Sequence, residues 1–285
     1  MIEGAEGIVW LNDALVNASE ARISPFDRGF LYGDGLFETM RLYRAIPCLL
    51  DRHLRRLYAS AARIKLELPE RKCLEEMIYA VIEANQWSDA RLRLTVSRGI
   101  DHRDTLCRRV ESTIFIYGRP LLQNEVQPKP INLKTTLYTH QPSPFQTRLK
   151  SLNYLVEILS LDAAQAKGAT EGVFLTNDGY VAEGGMSNIF CNNHGRLLTP
   201  PLDLGILPGI ARERILEIGV AQEIDIYEER FPLQTLKDAD EVFITNSVRE
   251  ILPVKSVEGE KIKGKVPGKL TIELQRLYRA SVIQM

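Results

Sequence analysis

The sequence predicts an α+β fold in two parts, a small N-terminal α/β domain and a larger C-terminal domain. Segments with alternating apolar residues, typical of strands, and segments with a helical apolar period follow one another along the chain. The 285 residues suffice for two domains of ordinary size. Prolines become frequent over residues 118–130, which predicts a linker there. We therefore expect domains over 1–120 and 131–285, joined by a linker over 121–130.

The N-terminal domain begins with a predicted hairpin, in which Ile8–Leu11 is followed by a turn at Asn12 and Asp13. Asp51 is a suitable N-cap for a helix over 52–64, where apolar residues recur at helical spacing. The same periodicities predict the remaining elements of this domain, which are strands over 36–43, 91–98 and 112–117 and a helix over 70–86.

The C-terminal domain contains a predicted helix over 152–167, which Gly168 ends as its C′ residue. Turns at 177–179 and 193–195 divide residues 172–199 into consecutive short strands. The remaining predicted elements are a strand over 131–137, a helix over 209–218, a strand over 241–245 and a last helix that opens at Pro267-Gly268.

Composition and charge argue against several classes of function. The 36 Lys+Arg and 37 Asp+Glu leave a formal charge of −1, so no global electrostatic attraction to nucleic acid or to an anionic membrane is expected. No segment approaches the ~20 apolar residues of a membrane-spanning helix. Residues 1–7 are acidic where a signal peptide is basic. We expect a cytoplasmic enzyme or binding protein.

Cysteine and histidine residues are scattered, which argues against a zinc site or a disulfide framework and leads us to expect no bound metal. The dinucleotide-binding, P-loop, nucleophile-elbow and HExxH motifs do not occur. The scattered residues are Cys48, Cys73, Cys107, Cys191, His53, His102, His140 and His194.

Two residues have the chemistry of a catalytic site. Lys150 stands between a loop rich in Pro and Ser and an apolar helix, where burial and the helix dipole would both lower its pKa. A neutral amine is what Schiff-base chemistry needs, although most lysines are simply solvated. Glu183 ends a predicted strand beside two glycines, where backbone can approach a ligand closely, although a polar turn residue is the simpler interpretation.

A third group of residues has the chemistry of a phosphate site. The helix that follows Gly209 offers free N–H groups. Asn246 and Ser247 follow a strand and carry amide and hydroxyl donors, and Arg56 has the bidentate geometry that matches phosphate. Each of these also has a simpler interpretation, respectively a helix cap, a loop and a solvated helix face.

In their order along the chain these residues resemble the class IV pyridoxal-phosphate enzymes, which include branched-chain aminotransferases, D-amino-acid aminotransferases and aminodeoxychorismate lyases. The resemblance covers nearly the whole chain and implies a fold-type IV enzyme whose larger domain is β-barrel-like with helices and binds pyridoxal 5′-phosphate. The motifs that carry it are Pro25-Phe-Asp-Arg-Gly-Phe-Leu-Tyr-Gly-Asp-Gly-Leu-Phe-Glu38, His53-Leu-Arg-Arg-Leu57, Lys150-Ser-Leu-Asn-Tyr154, Glu183-Gly-Gly-Met-Ser-Asn-Ile-Phe190 and Gly205-Ile-Leu-Pro-Gly-Ile210.

The resemblance also implies roles for individual residues. Lys150 is the Schiff-base lysine and moves a proton between Cα and C4′, and Glu183 binds the pyridine nitrogen. Ala211 stands where many relatives have threonine, so we expect cofactor retention weaker by about 0.5–1.5 kcal/mol, the contribution of one hydrogen bond. The other cofactor residues are Arg56, Ile210, Ala211 and Ser247 for the phosphate, with Gly209 and Asn246 beside them, Tyr154 near the phenolic oxygen, and Ser187 and Asn188.

For the substrate, the resemblance implies that Tyr32 and Phe37 line the side pocket and that the loop with Arg98 and Arg103 approaches the substrate carboxylate. A solvated loop charge is an equal interpretation of Arg103. The family is homodimeric, so we expect a dimer in which one subunit completes the other's active site.

The two halves of the chain resemble different members of this family. Residues 37–39 and 97–99 resemble the lyases and D-amino-acid enzymes, whereas 241–247 and 250–259 resemble branched-chain aminotransferases. The sequence predicts transfer of an amino group between an amino acid, expected to be a branched-chain one, and a 2-oxo acid such as 2-oxoglutarate. The alternatives are an aminodeoxychorismate lyase that forms 4-aminobenzoate and pyruvate, a D-amino-acid aminotransferase, and an inactive cofactor-carrying scaffold.

Overall fold

The structure is a computed structural model that describes residues 7–100, 111–121, 129–140 and 149–283. The chain divides into two compact units, Met1–Leu122 with Leu149–Asn153, and Gln123–Arg148 with Tyr154–Met285. The segment Leu149–Asn153, which lies within the range 131–285 expected for the C-terminal domain, is grouped with the first unit.

The first unit contains an antiparallel sheet in the order β2-β1-β6-β5-β3-β4 among the described residues. Its core forms where the sheet packs against two amphipathic helices, with Leu92, Leu94 and Val96 of β5 on the buried side. The strands are β1 Ile8–Leu11, β2 Ala14–Asn17, β3 Gly35–Tyr43, β4 Ile46–Pro47, β5 Ala90–Ser97 and β6 Thr113–Pro120, and the helices are α1 Arg28–Tyr32, α2 Leu50–Ile64 and α3 Arg71–Asn85.

Two local expectations for this unit are wrong. Helix α2 begins at Leu50 after Leu49, which has a φ of 53°, so Asp51 is not the N-cap. The Asp51 carboxylate instead pairs with Arg55 and with Arg71, at 2.7 Å for the latter. Strand β6 extends to Pro120, beyond its predicted end and into the proline-rich segment, because its last residues continue the pairing with β5.

The segment Leu149–Asn153 runs along β3 and does not begin a helix as expected. The Phe37 N–H donates to the Lys150 carbonyl at 2.9 Å, and the Leu152 N–H donates to the Gly35 carbonyl at 3.0 Å. These bonds tie the backbone to β3, so the helix expected from Leu152 begins only at Leu155. The position of Lys150 is therefore set by pairing with a strand.

The second unit contains a mixed sheet, curled into a half-barrel, in the order β12-β11-β10-β13-β14-β7-β8-β9, with β15 paired to β14. The α+β class and the barrel-like second domain are thus confirmed. Its strands are β7 Ile131–His140, β8 Glu171–Thr176, β9 Val181–Gly184, β10 Asn188–Asn193, β11 Arg196–Thr199, β12 Ile226–Glu228, β13 Glu241–Asn246, β14 Glu250–Val257 and β15 Glu260–Lys261, and its helices are α4 Leu155–Ala166, α5 Ile210–Ala221, α6 Leu233–Asp238 and α7 Lys269–Ile283.

The two turns that the sequence predicted in this sheet, at 177–179 and 193–195, lie between β8 and β9 and between β10 and β11. Gly179 and Gly195 have φ values of 81° and 85°, a region that glycine enters without steric cost. Apolar residues of the sheet, among them Ile189, Val242 and Ile244, form the core with α6. Within the described residues, no helix combines the length and the apolar character needed to cross a membrane.

Candidate active site

Lys150 lies against the aromatic ring of Phe37 in the first unit. The Lys150 Nζ is 4.5 Å from the ring centroid, and Phe37 is buried with 3% of its surface exposed. The backbone bonds between this segment and β3 explain why the two residues meet. The sequence predicted that the dipole of a helix starting next to Lys150 would act on its amine. That helix, α4, begins only at Leu155, five residues further along the chain. The Lys150 amine therefore lies against an aromatic face.

A second side chain on the same ring is Arg93, which the sequence analysis did not select. Its guanidinium carbon is 3.7 Å from the Phe37 centroid, and its Nε donates to Thr95 Oγ1 at 3.2 Å. Arg93 alternates with the buried leucines of β5, so strand periodicity alone places it on the side opposite the core. That alternation was the signal available in the sequence. Phe37 thus carries two cationic groups, and a substrate carboxylate is the kind of ligand that such cations bind.

Arg56 forms a buried cluster with Glu38 and His53, which we call the Glu38 cluster. The Arg56 Nε and Nη2 donate to the two Glu38 carboxylate oxygens at 2.8 and 2.7 Å, and His53 Nδ1 is 2.6 Å from Glu38 Oε2. Because the carboxylate accepts, His53 donates from Nδ1. Glu38 and His53 are each 1% exposed. The predicted phosphate cation is therefore held along one edge by a buried acid.

The electrostatics of the Glu38 cluster follow from burial and charge. Burial alone would raise the pKa of Glu38, but the Arg56 charge and the hydrogen bonds from His53 and Arg56 outweigh it and lower that pKa to about 2. Burial and the charges of Arg56 and Lys150 lower the pKa of His53 and together outweigh Glu38, which raises it. At neutral pH the cluster is a carboxylate and a guanidinium with a neutral imidazole.

The other residues expected to bind substrate, Arg98, Tyr32 and Arg103, differ in their surroundings. Arg98 donates to Asp34 at 2.8 Å and to the carbonyl oxygens of Ile64 and Lys65, so its guanidinium holds parts of its own unit together. Tyr32 is about half exposed, with the Arg28 guanidinium 5.3 Å from its ring. Arg103 lies outside the described residues.

Glu183, in the second unit, is fixed by the loop that precedes α5. Its Oε2 accepts the Leu207 N–H at 3.0 Å, and Asn188 Nδ2 donates to the Leu207 carbonyl at 2.9 Å. Both backbone groups of one residue are therefore bound by two expected site residues. Leu207 lies in the motif over 205–210, but its contacts with Glu183 and Asn188 were not predicted, because nothing in the local pattern of a loop residue indicates distant partners.

Three of the expected phosphate residues, Gly209, Ile210 and Ala211, lie at the start of α5. Gly209 is the N-cap, and a Cβ at this position would overlap with Asn188 Oδ1. The N–H groups of the first helical turn, which includes Ile210 and Ala211, have no partner within the helix. On the following segment, Asn246 Oδ1 accepts from the Val248 and Arg249 N–H groups at 3.1 and 2.8 Å and so shapes the turn that carries Ser247.

Two further expected residues, Tyr154 and Ser187, form hydrogen bonds at the turn between β9 and β10. The Tyr154 hydroxyl donates to the Gly185 carbonyl at 3.3 Å. Ser187 Oγ donates to Glu171 Oε1 at 3.1 Å. Glu171 is a buried acid that the sequence analysis did not select, because a single glutamate at the start of a strand has no distinctive local pattern.

Comparison with known proteins identifies the family. The family model for class IV amino-transferases matches residues 35–257. A putative branched-chain-amino-acid aminotransferase of Methanocaldococcus jannaschii is 36% identical over 278 residues, 95% of each chain. An aminodeoxychorismate lyase of Bacillus subtilis is 34% identical, covering 98% of this chain and 96% of the lyase. A D-alanine aminotransferase of Bacillus licheniformis is 31% identical, covering 96% and 97%.

Solved structures of branched-chain aminotransferases have the same fold as this chain. The branched-chain aminotransferase of Thermoproteus uzoniensis, crystallised with norvaline, superposes with a TM-score of 0.90 at 27% identity, covering 98% of this chain and 95% of that chain. A second branched-chain amino acid aminotransferase, solved with pyridoxamine 5′-phosphate, has a TM-score of 0.88 at 27% identity, with the same coverage. The family model over residues 35–257 and a relative that is 36% identical over 95% of this chain show the same relationship. This chain belongs to the class IV aminotransferase family.

Proposed function

We propose that this chain is a pyridoxal-phosphate-dependent aminotransferase that moves an amino group between a branched-chain amino acid and a 2-oxo acid such as 2-oxoglutarate. The class IV family is pyridoxal-phosphate-dependent. The observation that carries the proposal is the position of Lys150, whose amine lies 4.5 Å from the Phe37 ring centroid in a segment hydrogen-bonded to β3.

The residues present fit this cofactor by their chemistry. A phosphate dianion needs a cation and N–H donors, which Arg56 and the first turn of α5 supply. The overlap that a Cβ on Gly209 would cause shows that backbone and Asn188 are closely packed where that turn starts. Glu183 supplies the acid for the pyridine nitrogen, with one oxygen already oriented by the Leu207 N–H. Lys150 supplies the amine for the aldehyde.

Each residue then has a definite task in the reaction. The bound cofactor supplies an electron-withdrawing ring that stabilises negative charge at the substrate's Cα. Lys150 would move the proton from that Cα to C4′ in the first half of the reaction, and from C4′ to the Cα of the new amino acid in the second half. Glu183 holds the proton on the pyridine nitrogen, and the Glu38 carboxylate orients Arg56 toward its task as phosphate cation.

The same arrangement supports an amino-acid or 2-oxo-acid substrate. Arg93 places a guanidinium on the same Phe37 ring that Lys150 contacts, and a carboxylate is a ligand that a guanidinium binds. The ring itself is apolar and suits a hydrocarbon side chain. We keep Tyr32, Arg98 and Arg103 in the proposal as residues near the substrate. Arg98 would contribute indirectly, through its hydrogen bonds to Asp34 and to the carbonyl oxygens of residues 64 and 65.

A direct test is trapping of the cofactor on Lys150. The protein is incubated with pyridoxal 5′-phosphate and reduced with borohydride, and the modified peptide is identified by mass spectrometry. We expect the label on residue 150, its loss in Lys150→Ala and its retention in Lys72→Ala, whose lysine is a solvent-exposed control. Absence of any label on the wild-type protein, or full activity of Lys150→Ala, would refute the proposal.

A substrate panel separates this function from its alternatives. Conversion of the bound cofactor to its amine form by L-valine or L-leucine supports the proposed specificity, whereas conversion only by D-alanine or D-glutamate assigns a D-amino-acid aminotransferase. Release of 4-aminobenzoate from aminodeoxychorismate assigns the lyase, a name that the Bacillus subtilis relative carries.

We also propose that the chain acts as a homodimer in the cytoplasm. Large exposed apolar side chains are concentrated on the first turn and a half of α4, a feature that often marks a protein interface. These residues are Leu155, Val156, Ile158 and Leu159. Light scattering coupled to size-exclusion chromatography gives the mass directly, and a monomer at micromolar concentration would contradict the dimer.

A further inference from the structure

A buried acid lies beneath the turn that follows Glu183. Glu171, the first residue of β8, is 1% exposed. Its Oε1 accepts the Met186 N–H at 2.7 Å and the Ser187 hydroxyl at 3.1 Å. Burial raises the pKa of Glu171, although these two hydrogen bonds and the charge of Arg249 oppose that effect.

The turn Gly184–Ser187, which we call the glycine turn, is held by backbone bonds. The Gly184 N–H donates to the Ser187 carbonyl at 2.8 Å and closes the turn, and the Gly185 N–H donates to the Gly172 carbonyl of β8 at 3.0 Å. A Cβ on Gly184 would overlap with Ser187 Oγ and lie 3.0 Å from Glu171 Oε1. The carboxylate is therefore packed directly against the turn.

The glycine turn joins the two residues that bind Leu207. Glu183, which precedes the turn, accepts a hydrogen bond from the Leu207 N–H. Asn188, which follows the turn, donates one to the Leu207 carbonyl. The turn is short, so a shift of its backbone moves both side chains. Without Glu171, the buried Ser187 hydroxyl and the partly buried Met186 N–H lose their shared acceptor, and the turn is no longer held in this conformation.

We propose that Glu171 is a positioning residue, which holds the glycine turn so that Glu183 and Asn188 keep their places on either side of Leu207. The inference rests on the proposed function, since its consequence is the placement of the acid that faces the pyridine nitrogen. Misplacement of a catalytic group by about 1 Å costs on the order of 100-fold in rate.

The test compares five variants as cofactor complexes, of which Glu183→Gln supplies the reference spectrum. Glu171→Ala removes the hydrogen-bond acceptor. Glu171→Asp shortens the side chain by one methylene, which moves the acceptor away from the turn, and Glu171→Gln keeps an acceptor oxygen without the charge. Glu258→Ala is the matched control, because Glu258 likewise accepts the N–H and the hydroxyl of one residue, Thr135, elsewhere in the same unit. The measurements are the dissociation constant for pyridoxal 5′-phosphate, the visible spectrum of the bound cofactor over pH, and kcat.

We expect Glu171→Ala to raise the dissociation constant and lower kcat by about tenfold or more, with a spectral shift in the direction that Glu183→Gln produces. Glu171→Asp should show a smaller change of the same kind, which provides the answer if the alanine variant does not fold. Glu171→Gln should stay within about threefold of wild type, and Glu258→Ala should lose stability without the spectral shift.

The inference is overturned if Glu171→Ala and Glu171→Asp bind the cofactor with the wild-type spectrum, if Glu171→Gln fails as completely as alanine, or if Glu258→Ala shifts the spectrum equally. Failure of the proposed function has a different signature, because wild-type protein would then form no borohydride-stable label on Lys150 at all.

Discussion

Replacing Glu38 with glutamine should destabilise the first unit by a predictable amount. Glutamine keeps the shape of the side chain but leaves the Arg56 guanidinium, only 9% exposed, without its carboxylate. The pKa of Glu38 is lowered from an ordinary 4.5 to about 2. Because a tenfold change in an equilibrium constant is about 1.4 kcal/mol, this lowering corresponds to about 3 kcal/mol of folding free energy at neutral pH.

The sign of the pH dependence follows from the direction of that pKa. An acid whose pKa is lower in the folded protein stabilises it above the unfolded pKa and loses that contribution as pH falls. The difference between wild type and Glu38→Gln should therefore be constant from pH 7 to about 5 and shrink below about 4.5, toward the folded pKa of about 2.

Urea unfolding followed by tryptophan fluorescence measures this difference in the right place, since both tryptophans of the chain, Trp10 and Trp87, lie in the first unit. Glu76→Gln, at a largely exposed position of α3, is the matched control and should change the free energy of unfolding by less than about 0.5 kcal/mol. A difference for Glu38→Gln below about 1 kcal/mol at pH 7, or one that grows on acidification, would contradict the reasoning.

Three further outcomes follow from the structure. Burial raises the pKa of Cys191 to about 12, so this thiol should resist alkylation at pH 8 in the native protein while the half-buried Cys73 reacts, as peptide mass spectrometry can show. Gly209→Ala should weaken cofactor binding because its Cβ overlaps with Asn188 Oδ1. Gly195→Ala meets no neighbouring atom but has a φ of 85°, so it should lower stability and leave the dissociation constant unchanged. Ala211→Thr should tighten cofactor binding by about 0.5–1.5 kcal/mol, measured by titration of the apoprotein, if the added hydroxyl reaches the phosphate.

Elements with a strong apolar period were predictable from the sequence. The alternation over 91–98 predicted a strand, and β5 covers Ala90–Ser97. The start of α4 was not predictable in this way, because residues 152–154 have a helical pattern but the Leu152 N–H is bonded to Gly35, far away in the sequence. Tertiary hydrogen bonds override a local pattern wherever a strand offers unpaired backbone groups.

Within the site, the sequence indicated residues whose type matches their chemistry, such as Lys150 and Glu183. The sequence did not indicate the residues that orient other side chains of the site by hydrogen bonds. Glu38 has that role only because β3 and α2 bring it to Arg56 and His53. A glutamate next to Leu36 and Phe37 in a predicted strand was the available signal, since a buried acid needs a partner of opposite charge or strong donors.

The two buried acids that the sequence analysis missed have opposite environments, and this contrast distinguishes their roles. The pKa of Glu38 is lowered because a guanidinium faces it, so its charge is the useful property. The pKa of Glu171 is raised because burial dominates and its nearest donors, an N–H and a hydroxyl, are neutral, so its acceptor oxygen is the useful property. The same substitution, glutamate to glutamine, should therefore be damaging at position 38 and tolerated at position 171, since an amide oxygen replaces an acceptor but not a charge.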